Sequence, residues 1–136
     1  MTHKAEHDQP LRGMRILVAD DEFLIAVLIE ETLRDAGAEI STAATLPLAL
    51  KSANDEPLAA AVLDVRLGRQ TSETVADVLA ARGVPFVFYT GQALPDHVRQ
   101  KYPYARVLNK PSSHGVFVET MLQITNPPGA NVRRTP

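Results

Sequence analysis

Short apolar runs alternate along this chain with longer segments whose apolar side chains recur every three or four residues. The short runs are rich in aliphatic side chains and predict buried strands at residues 15–19, 39–43, 59–63, 85–89 and 105–108. The longer segments predict helices at residues 23–36, 46–53, 72–82 and 112–125, with a short helix that begins near Pro95. Strands and helices therefore follow one another in strict alternation.

Residues that start and end helices support these boundaries. Gly37 and Gly83 each follow a predicted helix, where glycine commonly ends one. Thr45 is suited to cap the second helix, with Pro47 in its first turn. We expect the folded domain to span residues 13–125, with residues 1–12 as a disordered N-terminal extension and residues 126–136 as a flexible tail.

The alternation of strands and helices predicts an α/β fold. Consecutive strands joined through helices pair in parallel, and the helices then cover both faces of the sheet. The predicted strands are apolar without alternation, as burial on both faces requires. In such sheets the ligand site lies at the carboxyl ends of the strands, where the strand order reverses. The residues that follow each strand are therefore the first candidates for function.

Polar side chains follow four of the predicted strands. Asp20 and Asp21 come after the first strand, Asp64 after the third, Thr90 after the fourth, and Lys110 just beyond the fifth. We expect a flavodoxin-like (βα)5 three-layer sandwich with strand order 2-1-3-4-5, in which the first and third strands are neighbours. The three aspartates would then converge in one cleft.

Three converging carboxylates repel one another, at a cost of roughly 1 to 4 kcal/mol for each close pair. A divalent cation offsets this repulsion, and an all-oxygen site favours Mg²⁺, for which Mn²⁺ can substitute. Lys110 adds a positive charge that can hold a phosphoryl oxygen, and Thr90 adds a hydroxyl donor. A metal, a lysine, a hydroxyl and a nucleophilic carboxylate are the parts required to transfer a phosphoryl group to an aspartate.

Composition excludes several other classes of function. The formal net charge of -2 does not match nucleic acid, and the absence of cysteine rules out disulfides and thiolate chemistry. The polar first residues lack the apolar core of a signal peptide, and no apolar run has the length of a membrane span. We interpret the chain as a cytoplasmic protein that binds neither nucleic acid nor a membrane.

The sequence resembles the receiver domains of two-component response regulators. The matching motifs cover most of residues 14–125 and comprise Ile16–Glu22 (ILVADDE), Leu63–Leu67 (LDVRL), Thr90-Gly91 and Lys110-Pro111. One such motif is weak, but several in the right order, each at a strand end, are specific. A further stretch, Pro85–Gly91 (PFVFYTG), is similar to one found in a group of single-domain receivers common in alphaproteobacteria, although Tyr89 replaces the alanine of that group.

The resemblance implies a role for each residue of the cluster. Asp64 is the expected phosphoacceptor, Asp21 a direct Mg²⁺ ligand, Asp20 a ligand acting mainly through water, and the carbonyl of Arg66 a further ligand. Thr90 and Lys110 are expected to bind the phosphoryl group. The peptide bond between Lys110 and Pro111 is expected to be cis, which proline tolerates.

One position departs from the family pattern. Typical receivers carry an aromatic switch residue three positions before the lysine, where this chain has Val107. Three other aromatic residues, Tyr89, Tyr102 and Tyr104, are candidates to replace it. Arg66, two residues after the acceptor, stands where its charge can alter the phosphoryl lifetime.

The resemblance implies a single-domain response regulator that is not an enzyme. It would accept a phosphoryl group from a histidine kinase or phosphotransfer protein and signal by phosphorylation-dependent protein binding or phosphorelay. Its output surface would combine the fourth helix, fifth strand and fifth helix, in a monomer or weak dimer. Leu24 and Val27 lie off the buried stripe of the first helix, so they form either a docking patch for the kinase or a partly buried edge.

Two alternatives stay open. A degenerate receiver would bind partners without being phosphorylated, and Val107 is the feature that favours it. A phosphatase or phosphotransferase of the haloacid-dehalogenase type would need a second acid two residues after its nucleophile, where this chain has Arg66. Taken alone, Asp20-Asp21 would suit a helix cap and Lys110 a solvated surface position.

Overall fold

The computed structural model describes residues 9–125, and this part of the chain forms five helices and seven strands. The helices are α1 Phe23–Asp35, α2 Leu46–Asp55, α3 Glu73–Ala81, α4 Asp96–Lys101 and α5 His114–Thr125. The strands are β1 Arg15–Ala19, β2 Glu39–Ala43, β3 Ala60–Asp64, β4 Arg66–Leu67, β5 Gln70–Thr71, β6 Phe86–Thr90 and β7 Arg106–Asn109. None of the helices within residues 9–125 is long and apolar enough to cross a membrane.

Five strands pair in parallel in the order β2-β1-β3-β6-β7. Because β6 and β7 are the fourth and fifth of the predicted strands, this order confirms the predicted 2-1-3-4-5 arrangement. The register aligns the carboxyl ends of the strands, with Asp64 opposite Tyr89 and Thr90 opposite Asn109. The sheet therefore presents its functional candidates along one edge.

Each face of the sheet carries its own apolar core. On one face, Leu17, Leu63 and Phe88 pack among residues of α2 and α3. On the other face, alternate residues of the same strands pack among residues of α1 and α5; this set includes Ile16, Val62, Val87, Ile29 and Phe117. The two cores explain why the central strands β1, β3 and β6 are mostly apolar, since successive side chains of a strand point to opposite faces. The edge strands β2 and β7 depart from the predicted apolar runs, because most of their residues are not buried on either face.

Residues 9–12, the first that the structure describes, pack against the domain, although the sequence placed them in the extension at residues 1–12. Leu11 is fully buried, and its N–H donates to the carbonyl of Ala36 at 2.8 Å. Gly37 ends α1 with a φ of 105°, and a Cβ there would meet Gln9 Cβ at 2.9 Å. This buried leucine is what distinguishes residues 9–12 from a loose leader. Residues 1–8 and the predicted tail at 126–136 lie outside the described residues.

A small hairpin follows the third strand, between residues 64 and 71, where the sequence predicted neither a strand nor a helix. Arg66 pairs with Thr71 and Leu67 with Gln70, in antiparallel fashion. Gly68 occupies the turn with a φ of 66°, a conformation that L side chains rarely adopt. Strands of two residues are too short to show an alternating pattern, so the sequence carried no clear signal for β4 and β5.

Candidate functional site

Residues at the ends of four strands meet at the carboxyl edge of the sheet. Asp20 directly follows β1, Asp64 and Thr90 are the last residues of β3 and β6, and Lys110 directly follows β7. They surround an open cleft of about 550 Å³. The residues that line it are Asp21, Glu22, Asp64, Val65, Arg66, Thr90, Gly91, Gln92, Ala93, Pro95 and Lys110. The structure thus brings together the residues that the sequence singled out, with Asp20 buried beside them.

The three aspartates form an acidic cluster. Asp20, Asp21 and Asp64 each offer a carboxylate oxygen, and these oxygens lie within 4.8 Å of one another. Asp20 Oδ1 accepts the N–H of Glu22 at 2.8 Å, whereas Asp20 Oδ2 is buried, accepts no hydrogen bond, and has the Lys110 ammonium 3.3 Å away as an ion-pair partner. A buried carboxylate oxygen that accepts no hydrogen bond, beside two more carboxylates, suits a hard divalent cation. The donor set therefore fits Mg²⁺.

Asp21 and Arg66 lie at the rim of the acidic cluster and make different hydrogen bonds there. Asp21 is exposed, and its Oδ2 accepts the N–H of Gly68 at 2.9 Å. The N–H of Arg66 donates to Asp64 Oδ1 at 3.4 Å, a long hydrogen bond. Arg66 therefore lies in the cleft, and the role of its carbonyl in a metal shell stays a prediction.

Lys110 is the cation at the centre of the cleft. Its Nζ lies 2.9 Å from Glu22 Oε1, 3.2 Å from Asp64 Oδ2 and 3.3 Å from Asp20 Oδ2. The same Nζ lies 5.4 Å from the ring centroid of Tyr89, within the range of a cation–π contact. The Lys110-Pro111 peptide bond is cis, as predicted.

Burial and neighbouring charges set the protonation states of Asp64 and Lys110. Burial raises the pKa of Asp64 from 3.8 to about 6, and the negative charge of Asp20 adds to the increase, although Lys110 opposes it. Burial alone would lower the pKa of Lys110, but the hydrogen bond to Glu22 and the charges of Asp20 and Asp64 outweigh it and raise that pKa. Near neutral pH, Asp64 is therefore mostly a carboxylate and Lys110 an ammonium.

Thr90 is fixed by its neighbours at the mouth of the cleft. Its Oγ1 accepts the N–H of Gln92 at 3.1 Å, and its carbonyl accepts the N–H of Lys110 at 2.9 Å. The second bond ties the end of β6 to the lysine. The hydroxyl keeps its own proton available to donate, because the bond to Gln92 uses the oxygen as acceptor.

The three tyrosines occupy different environments. Tyr89 is buried on the face covered by α1 and α5, with its ring 4.9 Å from that of Phe117. Tyr102 packs edge-on against Phe86, and its hydroxyl donates to Asp77 of α3. Tyr104 is 96% exposed. Of the three, Tyr89 is the one that contacts Lys110.

Two residues contact Lys110 although the sequence did not indicate that contact. Glu22 was part of a motif without a role of its own, and Tyr89 was named only as a candidate for the aromatic switch. The place of Glu22 directly after Asp20 and Asp21 could have indicated its contact, since residues at one strand end lie close together. Nothing in the sequence indicated the contact of Tyr89, because it joins two neighbouring strands.

Comparisons with known proteins show which solved structures share the fold of this chain. No protein-family model and no curated protein sequence matches the chain. Among solved structures, it is similar to a CheY-like response regulator receiver domain protein from Methanospirillum hungatei, at 20% identity and a TM-score of 0.77, covering 87% of this chain and 98% of that one. It is also similar to a response regulator receiver protein from Sinorhizobium medicae, at 25% identity and a TM-score of 0.76, covering 86% and 98%.

A third structure carries a metal. The receiver domain of a sensor histidine kinase from Pseudomonas aeruginosa matches at 22% identity and a TM-score of 0.71, covering 83% of this chain and 98% of that one. It is described with a magnesium ion coordinated in its active-site cleft. These matches extend over nearly the whole of each receiver domain. The chain therefore has the fold of CheY-like response regulator receiver domains, and the comparisons support a receiver domain.

Proposed function

We propose that this protein is a single-domain response regulator that accepts a phosphoryl group on Asp64 from a histidine kinase or a histidine phosphotransfer protein. One observation carries the proposal: the Asp64 carboxylate lies at the floor of an open cleft, 3.2 Å from Lys110 and beside two further aspartates. The phosphorylated form would then bind a downstream protein or pass the phosphoryl group on. Such a protein would act in the cytoplasm.

The transfer step is a displacement at phosphorus. An oxygen of Asp64 forms a bond to phosphorus, the bond from phosphorus to the donor histidine nitrogen breaks, and that nitrogen keeps the electron pair. Lys110 stays charged and stabilises the negative charge on the phosphoryl oxygens. The Thr90 hydroxyl donates a hydrogen bond to one of those oxygens. The ionisation of Asp64 near neutral pH makes it the nucleophile without a separate base.

Asp20, Asp21 and Asp64 are the residues that would hold Mg²⁺, with the Arg66 carbonyl as a further ligand. When bound, the ion would neutralise the carboxylates and stabilise charge on the transferring group. Without a counter-ion, the carboxylates of Asp20, Glu22 and Asp64 lie within 3.3 Å of the Lys110 ammonium, and Asp21 adds a fourth negative charge beside Asp20 and Asp64. A divalent cation is therefore needed before a phosphoryl donor, itself an anion, can approach.

In the proposed role the protein is a switch controlled by its own phosphorylation, and it does not turn over a separate substrate. The position two residues after Asp64 holds Arg66, whereas a haloacid-dehalogenase hydrolase has an acid there. Arg66 has no proton to accept or release near neutral pH, so it is unsuited to activating a water molecule. The acyl phosphate would then decay by slow hydrolysis.

An apolar ridge beside the cleft suits a partner that must reach Asp64. Phe23, Leu24 and Leu28 are 76%, 74% and 58% exposed, and all three lie in the first half of α1. Burying such side chains against a kinase or phosphotransfer protein would stabilise the complex that delivers the phosphoryl group. The proposed output surface is the separate face formed by α4, β7 and α5.

A degenerate receiver is the second candidate function. Val107, in β7, is 38% exposed and takes the place of the usual aromatic switch. A domain without that switch would bind its partner whether or not Asp64 carries a phosphoryl group.

The test is the intact mass of the protein after incubation with acetyl phosphate and Mg²⁺. We expect a single phosphoryl adduct that is absent in Asp64→Ala and absent when EDTA removes the metal. The absence of any adduct with acetyl phosphate, with phosphoramidate and with every histidine kinase of the host would overturn the proposal in favour of the degenerate receiver. Equal adduct in Asp64→Ala would show that another residue is modified.

A further inference from the structure

The shortest ion pair of Lys110 is with Glu22 and not with the proposed phosphoacceptor. Nζ lies 2.9 Å from Glu22 Oε1, compared with 3.2 Å from Asp64 Oδ2. We propose that Glu22 is a positioning residue that holds Lys110 and competes with the phosphoryl group for it, so that it limits how readily Asp64 becomes and stays phosphorylated. This inference rests on the proposed function of Asp64.

The side chain of Glu22 is not required by the helix it begins. Glu22 is the N-cap residue of α1, but its carboxylate makes no capping hydrogen bond. The helix is started by the backbone, since the carbonyl of Glu22 accepts the N–H of Ala26 at 2.9 Å. Its carboxylate instead reaches Lys110, 88 positions further along the chain. Lys110 is therefore the partner that accounts for the position of this carboxylate.

The surroundings of the two side chains differ. The side chain of Lys110 is 15% exposed and is confined by Asp20, Asp64 and the ring of Tyr89, whereas that of Glu22 is 59% exposed. Glu22 can therefore move into solvent at little cost, while Lys110 stays in the cleft. A phosphoryl group on Asp64 would take the place of Glu22 as the anion closest to Nζ.

The charges of the cleft give the direction of the effect. Asp20, Asp21 and Asp64 form the acidic cluster, and Glu22 is a fourth carboxylate in contact with the same lysine. It adds negative charge where a phosphoryl group of about two negative charges must bind. Removing it leaves Lys110 available to that group and lowers the repulsion of an anionic donor. We therefore expect loss of the Glu22 contact to favour the phosphorylated state.

Two substitutions distinguish the effect of the contact between Glu22 and Lys110 from the effect of the negative charge of Glu22. Glu22→Gln keeps the length of the side chain and removes its charge, whereas Glu22→Asp keeps the charge and shortens the side chain by one methylene, out of reach of Nζ. Glu31→Gln is the matched control, because it removes an exposed carboxylate from the same helix. The exposure of Glu22 means that each variant should fold with nearly unchanged stability.

Two readouts are measured in Mg²⁺ for each variant. One is the rate of adduct formation against acetyl phosphate concentration, which separates the half-saturating concentration from the maximal rate. The other is the affinity for beryllofluoride, an anion that imitates a phosphoryl group on a carboxylate. We expect Glu22→Gln and Glu22→Asp both to bind beryllofluoride about three- to tenfold more tightly than wild type, and Glu22→Gln also to lower the half-saturating acetyl phosphate concentration.

The outcomes are distinct. A wild-type protein that forms no adduct and binds no beryllofluoride refutes the proposed function itself. If the wild type reacts but both Glu22 variants behave like Glu31→Gln, only the role of Glu22 is refuted. If Glu22→Gln binds beryllofluoride more tightly than wild type while Glu22→Asp binds it equally, the charge at the rim acts without the contact to Lys110. The positioning role of Glu22 is then overturned. Weaker binding in both variants would also overturn it, because Glu22 would then assist Lys110.

Discussion

Asp21 Oδ2 accepts the backbone N–H of Gly68 at 2.9 Å, and this bond joins the acidic cluster to the turn of the β4–β5 hairpin. The two residues are 47 positions apart in the chain. A carboxylate that belongs to the proposed metal site and also accepts a backbone N–H links the occupancy of that site to the hairpin, whose Arg66 lines the cleft. The hairpin that the sequence did not predict is thus part of the site.

The first prediction concerns this link. Adding Mg²⁺ should shift the amide resonance of Gly68 in a ¹H–¹⁵N spectrum, because the ion withdraws electron density from the carboxylate that accepts this N–H. The shift should be lost in Asp21→Ala. A Gly68 amide that stays unchanged while the amides of Asp64 and Val65 move would show that the hairpin is independent of the metal.

The second prediction concerns the loss of folding stability caused by the buried carboxylate of Asp64. The pKa of Asp64 is raised from 3.8 to about 6 by burial and by Asp20, so the fold favours its protonated form. The contribution of Asp64 to stability is fully present below pH 3.8 and is lost as the pH rises through about 6. Asp64→Asn should therefore be more stable than wild type at about pH 8, by about 2 to 3 kcal/mol in urea unfolding without metal.

The gain from Asp64→Asn should shrink as the pH falls through about 6 and should vanish well below pH 3.8, where the wild-type carboxyl is protonated in both the folded and the unfolded states. Mg²⁺ should also reduce it at about pH 8, since the ion stabilises the wild type alone. A wild-type protein more stable than Asp64→Asn at high pH without metal would contradict this account of the carboxyl.

The third prediction concerns a polar contact between α3 and the end of α4. The hydroxyl of Tyr102 and the ammonium of Lys101 both donate to Asp77. Burial would raise the pKa of Asp77, but these two hydrogen bonds outweigh it and lower that pKa. Tyr102→Phe should cost about 1 kcal/mol of stability near neutral pH. The stability that Asp77 contributes is present above pH 3.8 and is lost as the pH falls through its lower folded pKa.

The matched control for this contact is Tyr104→Phe. Tyr104 is 96% exposed, so removing its hydroxyl should leave the free energy of unfolding unchanged. Urea unfolding of both variants at neutral and at acid pH is the measurement. Equal losses in the two variants, or a loss in Tyr102→Phe that persists in acid, would show that the contact with Asp77 does not stabilise the fold.

The fourth prediction concerns the ridge on α1. Leu24→Asp should slow phosphotransfer from the histidine kinase or phosphotransfer protein that serves the wild type by about tenfold, because it places a charge in a surface that must be buried. It should leave the reaction with acetyl phosphate unchanged, since this small donor needs no docking surface. Leu48→Asp, on α2 at 53% exposure, is the control. Similar slowing in both variants would mean that the ridge has no special role.

Much of the fold follows from patterns that the sequence displays directly. The three central strands are largely apolar because both of their faces are buried, and the five strands of the parallel sheet lie within one residue of the predicted ones. Thr45 caps α2 by accepting the N–H of Leu48 at 3.3 Å, as its position before a helical segment indicated. The convergence of Asp20, Asp21 and Asp64 followed from the predicted strand order alone, because that order makes β1 and β3 neighbours.

Features that depend on side-chain paths or on very short elements did not follow from the sequence. Leu11 looked like part of a polar leader, since a single leucine among polar residues carries no period. The contact of Lys110 with Tyr89 crosses between neighbouring strands, and no spacing rule relates the two residues. Glu22 had a place in a motif, but its preference for Lys110 over a capping role is visible only from the distances.

The most direct test of the central claim locates the phosphoryl group. Borohydride reduces an acyl phosphate on aspartate to homoserine, so protein treated with acetyl phosphate and Mg²⁺ can be reduced, digested and mapped by mass spectrometry. We predict homoserine at position 64 and at no other aspartate, with none in a sample that received EDTA. Homoserine at a different aspartate, or none in a sample whose intact mass carries the adduct, would contradict the assignment of Asp64 as the phosphoacceptor.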